Sequence, residues 1–578
     1  MCAAFFDSTR GLRVRWAGGL LCLLALLGGS PSSAAAQRFL SDDPLWHDPD
    51  RMDMPFPEPT PSDRGIGPLE FFERSFGVPG EYAVPAKNVN TVGGVPNSSW
   101  YTNRHYRSPM SPAALRQGPN QGPGPSARSP WRVVELGPPG GLPRAIIRDT
   151  TGRPFRILFD APAHPEMATG AAMISSRLLH ALGYNVPQHW LRRVRAGRLV
   201  PEPDSGVTQS RVDSLLASAA QRPDGTYRAL VTRIPDVERR IGPFQFKGTR
   251  ADDGNDVFPH EDRRELRGLR IVAAWIHHSK IRPRHTLDVG VRVEGRRFVR
   301  HYLTDLHLTL GSAGATPKSE WSGHEHVLEL GRIFERIGTL GLSGGDWAEV
   351  EPPADPALGR SGIGGFHPQP GRPEWPHPAV HRHTPAHAVW AAQNIRNSSR
   401  EDLRVIVSTA NYSSAEVADY MVRTLLARRD AIGQAFLDWG GGLDRFAVRS
   451  GRLTFEDLRA AYGQAPDTLR RTVTWRAYAN RADAVSPVLT RMPSSREAVP
   501  LPDYSPSYLR ASLVTPRAGT TRVYVRQTEQ GQASPGGRLR RRVVGAERTA
   551  APTAQRPYPG LPTPCPLNTS PTPRAPTG

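Results

Sequence analysis

Residues 145–160 read Ala145-Ile146-Ile147-Arg148-Asp149-Thr150-Thr151-Gly152-Arg153-Pro154-Phe155-Arg156-Ile157-Leu158-Phe159-Asp160. Two apolar runs flank the turn residues Asp149-Thr150-Thr151-Gly152, a pattern that predicts a strand pair. Ala171, Ile174, Leu178 and Leu182 then recur at helical spacing, which predicts a helix over residues 165–182. Gly183 is placed to end that helix in a left-handed cap, and Pro187 prevents its restart. Residues 228–234 add another apolar strand, and residues 117–130 are a Gly/Pro loop on the other side.

Further along, helical periodicity dominates. A helix over residues 259–278 turns Leu266, Leu269, Val272, Ala273 and Ile276 inward and leaves Arg263, Arg264, Arg267 and Arg270 for other partners. Strands at 286–293 and 298–303 join at Glu294-Gly295 and end at Thr304-Asp305-Leu306-His307. More helices are expected near 324–338, 386–396, 400–410 and 415–437, with Ser399 and Asp402 as an acidic capping box, while residues 338–385 form an irregular excursion. This order predicts an α+β, two-lobed chain. A mixed β/α lobe spans residues 96–245 and a mainly helical lobe 246–470, with a ligand-binding crevice between them. An extended arm (37–95) precedes the lobes; an extension with short strands (471–525) and a disordered basic tail (526–578) follow.

The chain has 578 residues, enough for roughly two to four domains. Its 58 prolines and 55 glycines argue against one compact core of that length. The net charge is +20, but of the 74 cations only Lys87, Lys247, Lys280 and Lys318 are lysines. So strong a bias toward arginine reflects coding composition as much as a basic surface, and charge alone does not point to nucleic acid. Basic runs without interleaved aromatics also argue against base readout.

The first 36 residues read as an export signal. Arg10, Arg13 and Arg15 precede an apolar core at 17–27, and Ala34-Ala35-Ala36 offers a cleavage site before Gln37. Export places the mature protein in the periplasm or outside the cell. Cleavage removes Cys2 and Cys22 and leaves Cys565 alone, so no internal disulfide framework is expected. The basic run Arg538-Leu539-Arg540-Arg541-Arg542 either contacts anionic envelope polymers peripherally or lies idle in solvent. Four histidines crowd residues 377–387, but Pro376, Pro378 and Pro385 interrupt any helix that would align them, and a solvated loop is expected. His277-His278 read as a helix-end cap, and Asp252, Asp253 and Asp256 as charge complements to Arg263 and Arg264. No nucleophile elbow and no phosphate-binding Walker pattern is present.

Several stretches resemble an exported, largely uncharacterised bacterial family with a kinase-like fold. They are Asn88-Val89-Asn90-Thr91 through Ser98-Ser99-Trp100-Tyr101-Thr102-Asn103-Arg104, Ala181-Leu182-Gly183-Tyr184-Asn185-Val186-Pro187, and Gly248-Thr249-Arg250-Ala251-Asp252-Asp253. Pro259 through Arg270 and Arg300-His301-Tyr302-Leu303-Thr304-Asp305 complete the set. Through that family the chain is distantly similar to HipA-like and CotH-like kinases. The resemblance implies a strand lysine for nucleotide phosphates, a loop Asp as base, a loop Asn and a second Asp as metal ligands, with ATP and Mg or Mn as cofactors. Those positions fall on Leu158, Lys280, His285 and Asp305, and Glu166 falls where the lysine's partner stands. Leucine binds no phosphate and a charged lysine accepts no proton, so a catalytically degenerate pseudokinase that binds an envelope ligand or partner is expected. The alternatives are an atypical metal-dependent phosphotransferase and a structural envelope protein whose arm fills the crevice. Arg156 shares a strand face with Leu158 and offers a guanidinium to phosphate, while His285 and Asp305 offer an imidazole and a carboxylate to a divalent ion.

Overall fold

The computed structural model describes residues 37–59, 84–324 and 351–550, apart from 129, 236–238, 365, 369–372, 376–377, 438–441, 461–469, 495–496, 505–506, 517 and 530–538. The signal segment and most of the helix expected at 324–338 lie outside the described residues. Among those described, no helix is long and apolar enough to cross a membrane.

The chain is α+β. Helix α1 (Pro112–Gln117) precedes β1 (Trp131–Leu136), and the expected strand pair forms as β2 (Arg144–Arg148) and β3 (Pro154–Phe159). The Asp149 carboxylate closes their turn by accepting the Thr151 and Arg153 N–H groups at 2.9 and 3.1 Å. Helix α2 (Met167–Leu182), β4 (His189–Val194), β5 (Leu199–Pro201), α3 (Gln209–Ala217) and β6 (Tyr227–Arg233) follow. The six strands form one sheet in the order β4-β6-β3-β2-β1-β5, antiparallel except for β1 with β5. Alternation along β3 divides its side chains: Phe155, Ile157 and Phe159 join one core that includes α3, while Leu158 joins the core that contains α2. Gly183 ends α2 with φ 113°, and a Cβ there would sit 2.3 Å from the Tyr101 ring, so only glycine fits.

Next come β7 (Arg240–Gly242), α4 (Arg264–Trp275), and the hairpin β8 (Thr286–Val293) with β9 (Arg296–Leu303). Helices α5 (Pro378–His381), α6 (Pro385–Arg396), α7 (Arg400–Ser408) and α8 (Ala415–Phe436) complete a helical half that shares its core with α2. The Ser399–Asp402 capping box is present on α7. The arginines of the central helix are not free for partners. Arg263 and Arg267 are fully buried, paired with Asp256 at 3.0 Å and Asp262 at 2.6 Å. The Arg263 guanidinium lies over the Trp100 indole, 4.7 Å from its centroid, and the opposite contact of that indole is a stacked His301 ring at 3.6 Å.

The C-terminal region departs from expectation. Helical structure ends near residue 437, and β10 (Leu443–Arg449), β11 (Arg452–Asp457), β12 (Arg471–Ala479), β13 (Ala484–Ser494), β14 (Ala498–Pro500), β15 (Tyr508–Thr515), β16 (Gly519–Glu529) and β17 (Leu539–Ala550) follow. Sheets β10-β11-β14 and β13-β12-β15-β16-β17 close over a single core of Leu453, Phe455, Val473, Trp475, Leu513 and Val523. The boundary at 470, the short strands over 471–525 and the disorder from 526 are therefore corrected: these strands reach 11 and 12 residues, and β17 falls within the segment expected to be disordered. The basic run joins this sheet, with Arg526 and Arg542 donating to the Ser41 carbonyl of the arm. Residues 551–578 lie outside the described residues. The histidine-rich stretch is likewise no solvated loop, since His383 and His387 are buried and His387 caps α6 through Thr384.

Trp100→Ala would remove the ring on which Arg263 and His301 rest and leave a buried guanidinium without its apolar cover. A loss of about 3–5 kcal/mol is expected from the cavity alone, read by urea denaturation followed by far-UV circular dichroism.

Candidate functional site

The β8–β9 hairpin delivers Asp305 to the turn that follows it. Asp305 adopts a left-handed conformation (φ 53°, ψ 39°), a strained state for a non-glycine residue. Ser175 of α2 and Thr309 hold the far side of the turn, hydroxyl to hydroxyl at 2.6 Å. Facing Asp305, Arg156 extends from β3 with its Nη1 3.7 Å from the Asp305 carboxylate. The Arg156 side chain is 48% exposed. An ion pair this open contributes at most about 1 kcal/mol, so a ligand anion could take the guanidinium at little cost.

The loop after α4 supplies the third side. Its residues Lys280 and His285 are linked, because His285 Nδ1 donates to the Lys280 carbonyl at 2.6 Å. That bond leaves Nε2 as an acceptor, and Arg284 Nε lies 3.3 Å from it. The Thr304 N–H bonds the His285 carbonyl at 2.9 Å, so loop and hairpin end are tied together beside Asp305. His307 joins the group, close enough to feel the charges of Asp305, His285, Arg156 and Arg144. His189 on β4 feels both His307 and Arg156; its Nδ1 meets Thr232 Oγ1 at 2.9 Å, and its buried Nε2 has no hydrogen-bond partner among the described residues.

Sequence positions thus meet here unequally. Arg156, Asp305 and His285 share the crevice, with Lys280 on the same loop. Leu158 is 5% exposed and belongs to the core rather than to a ligand surface. Glu166 is paired elsewhere: its carboxylate takes Arg222 at 2.9 Å, Arg228 at 3.4 Å and the Ser413 N–H at 2.8 Å. Glu166 is therefore a buried fastening between Arg228 on β6 and the start of α8. His189 and His307 were missed by sequence reasoning, since a lone histidine in a strand or a turn carries no spacing signal.

A metal–nucleotide centre does not fit these donors. The His285 Nδ1 is spent on the Lys280 carbonyl, so the loop and the hairpin end offer only one imidazole nitrogen and the Asp305 carboxylate as donors. Among the described residues no three His, Cys, Asp or Glu side chains lie close enough to hold a metal ion. A guanidinium-rich rim around one carboxylate suits an anion better than a cation.

The inner wall of the loop is a second polar network. Lys318, 3% exposed, donates to the His277 carbonyl at 2.6 Å and to Ser279 Oγ at 2.8 Å. Ser279 and Ser322 also reach Glu374, which pairs with Arg282 at 3.0 Å. Burial pushes Lys318 down to about 7, the nearby Glu374 carboxylate opposing that shift. His278 is buried and His277 half-buried, and desolvation pushes both well below the usual imidazole value, so they do not cap the helix as imidazolium ions. A cavity of about 50 Å³ borders this network, lined by Ser279, Ser322, His278 and Arg428 among others.

Comparison of the chain with protein-family models, curated proteins and solved structures finds no match.

Burial holds His189 at about 3 and His307 at about 4. Unfolding returns such rings to ~6.5, so the unfolded chain binds more protons between that value and the folded one. Stability is complete above pH ~6.5 and falls as pH drops toward 4, by up to ~1.4 kcal/mol per pH unit for each ring. Urea midpoints at pH 7.5 and 5.0 check this; an equal or higher midpoint at pH 5.0 would mean that the rings are charged inside the fold.

Proposed function

We propose that this protein is an exported, kinase-like binding protein without phosphoryl-transfer activity, which captures an anionic, phosphate-bearing ligand in the crevice between the six-stranded sheet and the helical half. The observation that carries this reading is the open Arg156–Asp305 pair, with His285 and His307 close enough to feel the Asp305 charge. An incoming phosphate oxygen replaces the Asp305 carboxylate on the Arg156 guanidinium in a charge-assisted hydrogen bond.

Support for the kinase-like part comes from element order. Three strands precede one buried helix, further strands follow, then a helix, a polar loop, a hairpin and an aspartate. The absence of transfer rests on chemistry. Lys280 stands where a substrate hydroxyl would need a proton acceptor, and an ammonium cannot serve as one. Export rests on the basic, apolar and small-residue succession in residues 1–36. The structural alternative, an arm that fills the crevice, is not favoured, because hydrogen bonds of the described arm residues run to Asn480, Ser99, Asn255 and Arg297 among others.

Thermal-shift titration with ATP tests the reading. The melting temperature is expected to rise with ATP in EDTA and to rise equally with ATP and Mn²⁺. Arg156→Ala should weaken binding about 10-fold or more, the worth of one charge-assisted contact of ~1.5–3 kcal/mol. A parallel radiolabel assay should show no phosphate transfer. A shift that requires Mn²⁺, or label transferred to a substrate, would favour the phosphotransferase; no shift under either condition would remove the anion site.

A further inference from the structure

The first described residues of the arm fill a site on the C-terminal sandwich that the crevice reading does not use. Phe39 is 2% exposed, and its ring lies 5.9, 6.3 and 5.0 Å from the centroids of Tyr478, Tyr508 and Tyr524. Asn480 reads the backbone at both ends of the residue: its Oδ1 accepts the Phe39 N–H at 2.8 Å and its Nδ2 donates to the Phe39 carbonyl at 2.7 Å. The Arg38 N–H adds a bond to the Asn480 carbonyl at 3.2 Å. The Arg38 guanidinium pairs with Asp483 at 2.9 Å and with Glu547, and lies over the Tyr524 ring at 4.7 Å.

Gly545 on β17 makes room for the ring. A Cβ at that position would stand 2.5 Å from a Phe39 ring carbon. Glycine inside a strand weakens it, and its use here marks a close approach. The sheet therefore carries a notch for an aromatic side chain, a carboxylate pair for a guanidinium and an amide that fixes the peptide direction. Those are the parts of a peptide-recognition site, an anchor pocket with a polar clamp beside it.

Nothing in the clamp depends on the covalent link between arm and sandwich, since its contacting residues are far apart in the chain (|i−j| is 441 for Phe39 and Asn480). We propose that the sandwich is a receptor for an Arg–aromatic peptide segment, filled in cis by Arg38-Phe39, and that the same segment of a second copy of this chain is its ligand in trans. Every copy carries both halves, so emptying one receptor creates a complementary partner for any displaced arm.

Two full-chain variants separate the halves. Phe39→Ala keeps the receptor and spoils the ligand; Gly545→Val fills the notch and leaves the arm sequence intact. A fluorescein-labelled peptide with the sequence of residues 37–43 should bind the Phe39→Ala chain saturably, and the same peptide with Ala for Phe should bind about 10-fold more weakly or worse. The wild-type chain, its site filled, should bind the labelled peptide about 10-fold more weakly than Phe39→Ala. Mixed Phe39→Ala and Gly545→Val chains, each monomeric alone, should form a heterodimer by size exclusion with light scattering. Circular dichroism of both variants verifies that the sandwich is folded. No peptide binding to a folded Phe39→Ala chain, or binding indifferent to the Phe, overturns the receptor; peptide binding without heterodimer overturns the second copy as ligand.

Discussion

The buried guanidinium of Arg263 is the constraint around which the rest of the chain is arranged. A cation with no exposed surface is tolerated only when neighbours replace its water. Here they come from several segments: Asp256 from the loop before α4, Glu265 two residues on, and the face of Trp100 from just past the arm. Trp100 then stacks on His301, which is fixed to Asp288 at 2.7 Å, and Asp288 takes Arg250. Asn185, just past the α2 cap, bonds the carbonyls of Ser99 and His301. One charge thereby sets the position of the β8–β9 hairpin against α2 and α4. Asp305 inherits its place from that hairpin.

Ion pairs of similar composition play opposite parts in this chain because their burial differs. Glu166 with Arg228 is closed off and shared with the α8 entry, so either partner alone would be a stranded charge. Arg156 with Asp305 is open, long and weakly held, which leaves both groups free to exchange partners. The difference separates a fastening from a binding surface, and sequence spacing is blind to it. Arg156 and Arg228 both lie on strands of one sheet, and nothing in their neighbours' identities says which will meet water.

Legibility followed periodicity. Helices α2, α6, α7 and α8 and the hairpins β2–β3 and β8–β9 were readable because their apolar residues recur at the period of the element. The sandwich was not. Pro487 and Pro493 sit in β13, an edge strand where a missing N–H is harmless, and they read as breakers. In β17 the arginines and Glu547 mask a strand whose polar face is covered by Arg38, Phe39 and Ser41, and such cover is invisible to a local window. The stretches that carry the family resemblance converge on the Arg263–Trp100–His301 cluster. They describe how the body is built, whereas the crevice residues His189 and His307 lie outside them.

The first described residues of the arm rest on β17 and the segment just after β12. Asn480 directly follows β12, and Gly545 and Glu547 belong to β17, so Arg38 and Phe39 have no seat until the chain has been made through residue 547. Closure of the arm is therefore the final event of assembly rather than an early one, a contact of the longest sequence separation whose loop entropy is met only after the sandwich exists. A chain cut short before β17 would keep its six-stranded sheet and helices and lose its clasp, leaving a free segment of Arg38, Phe39 and Leu40 as a local mark of incomplete synthesis.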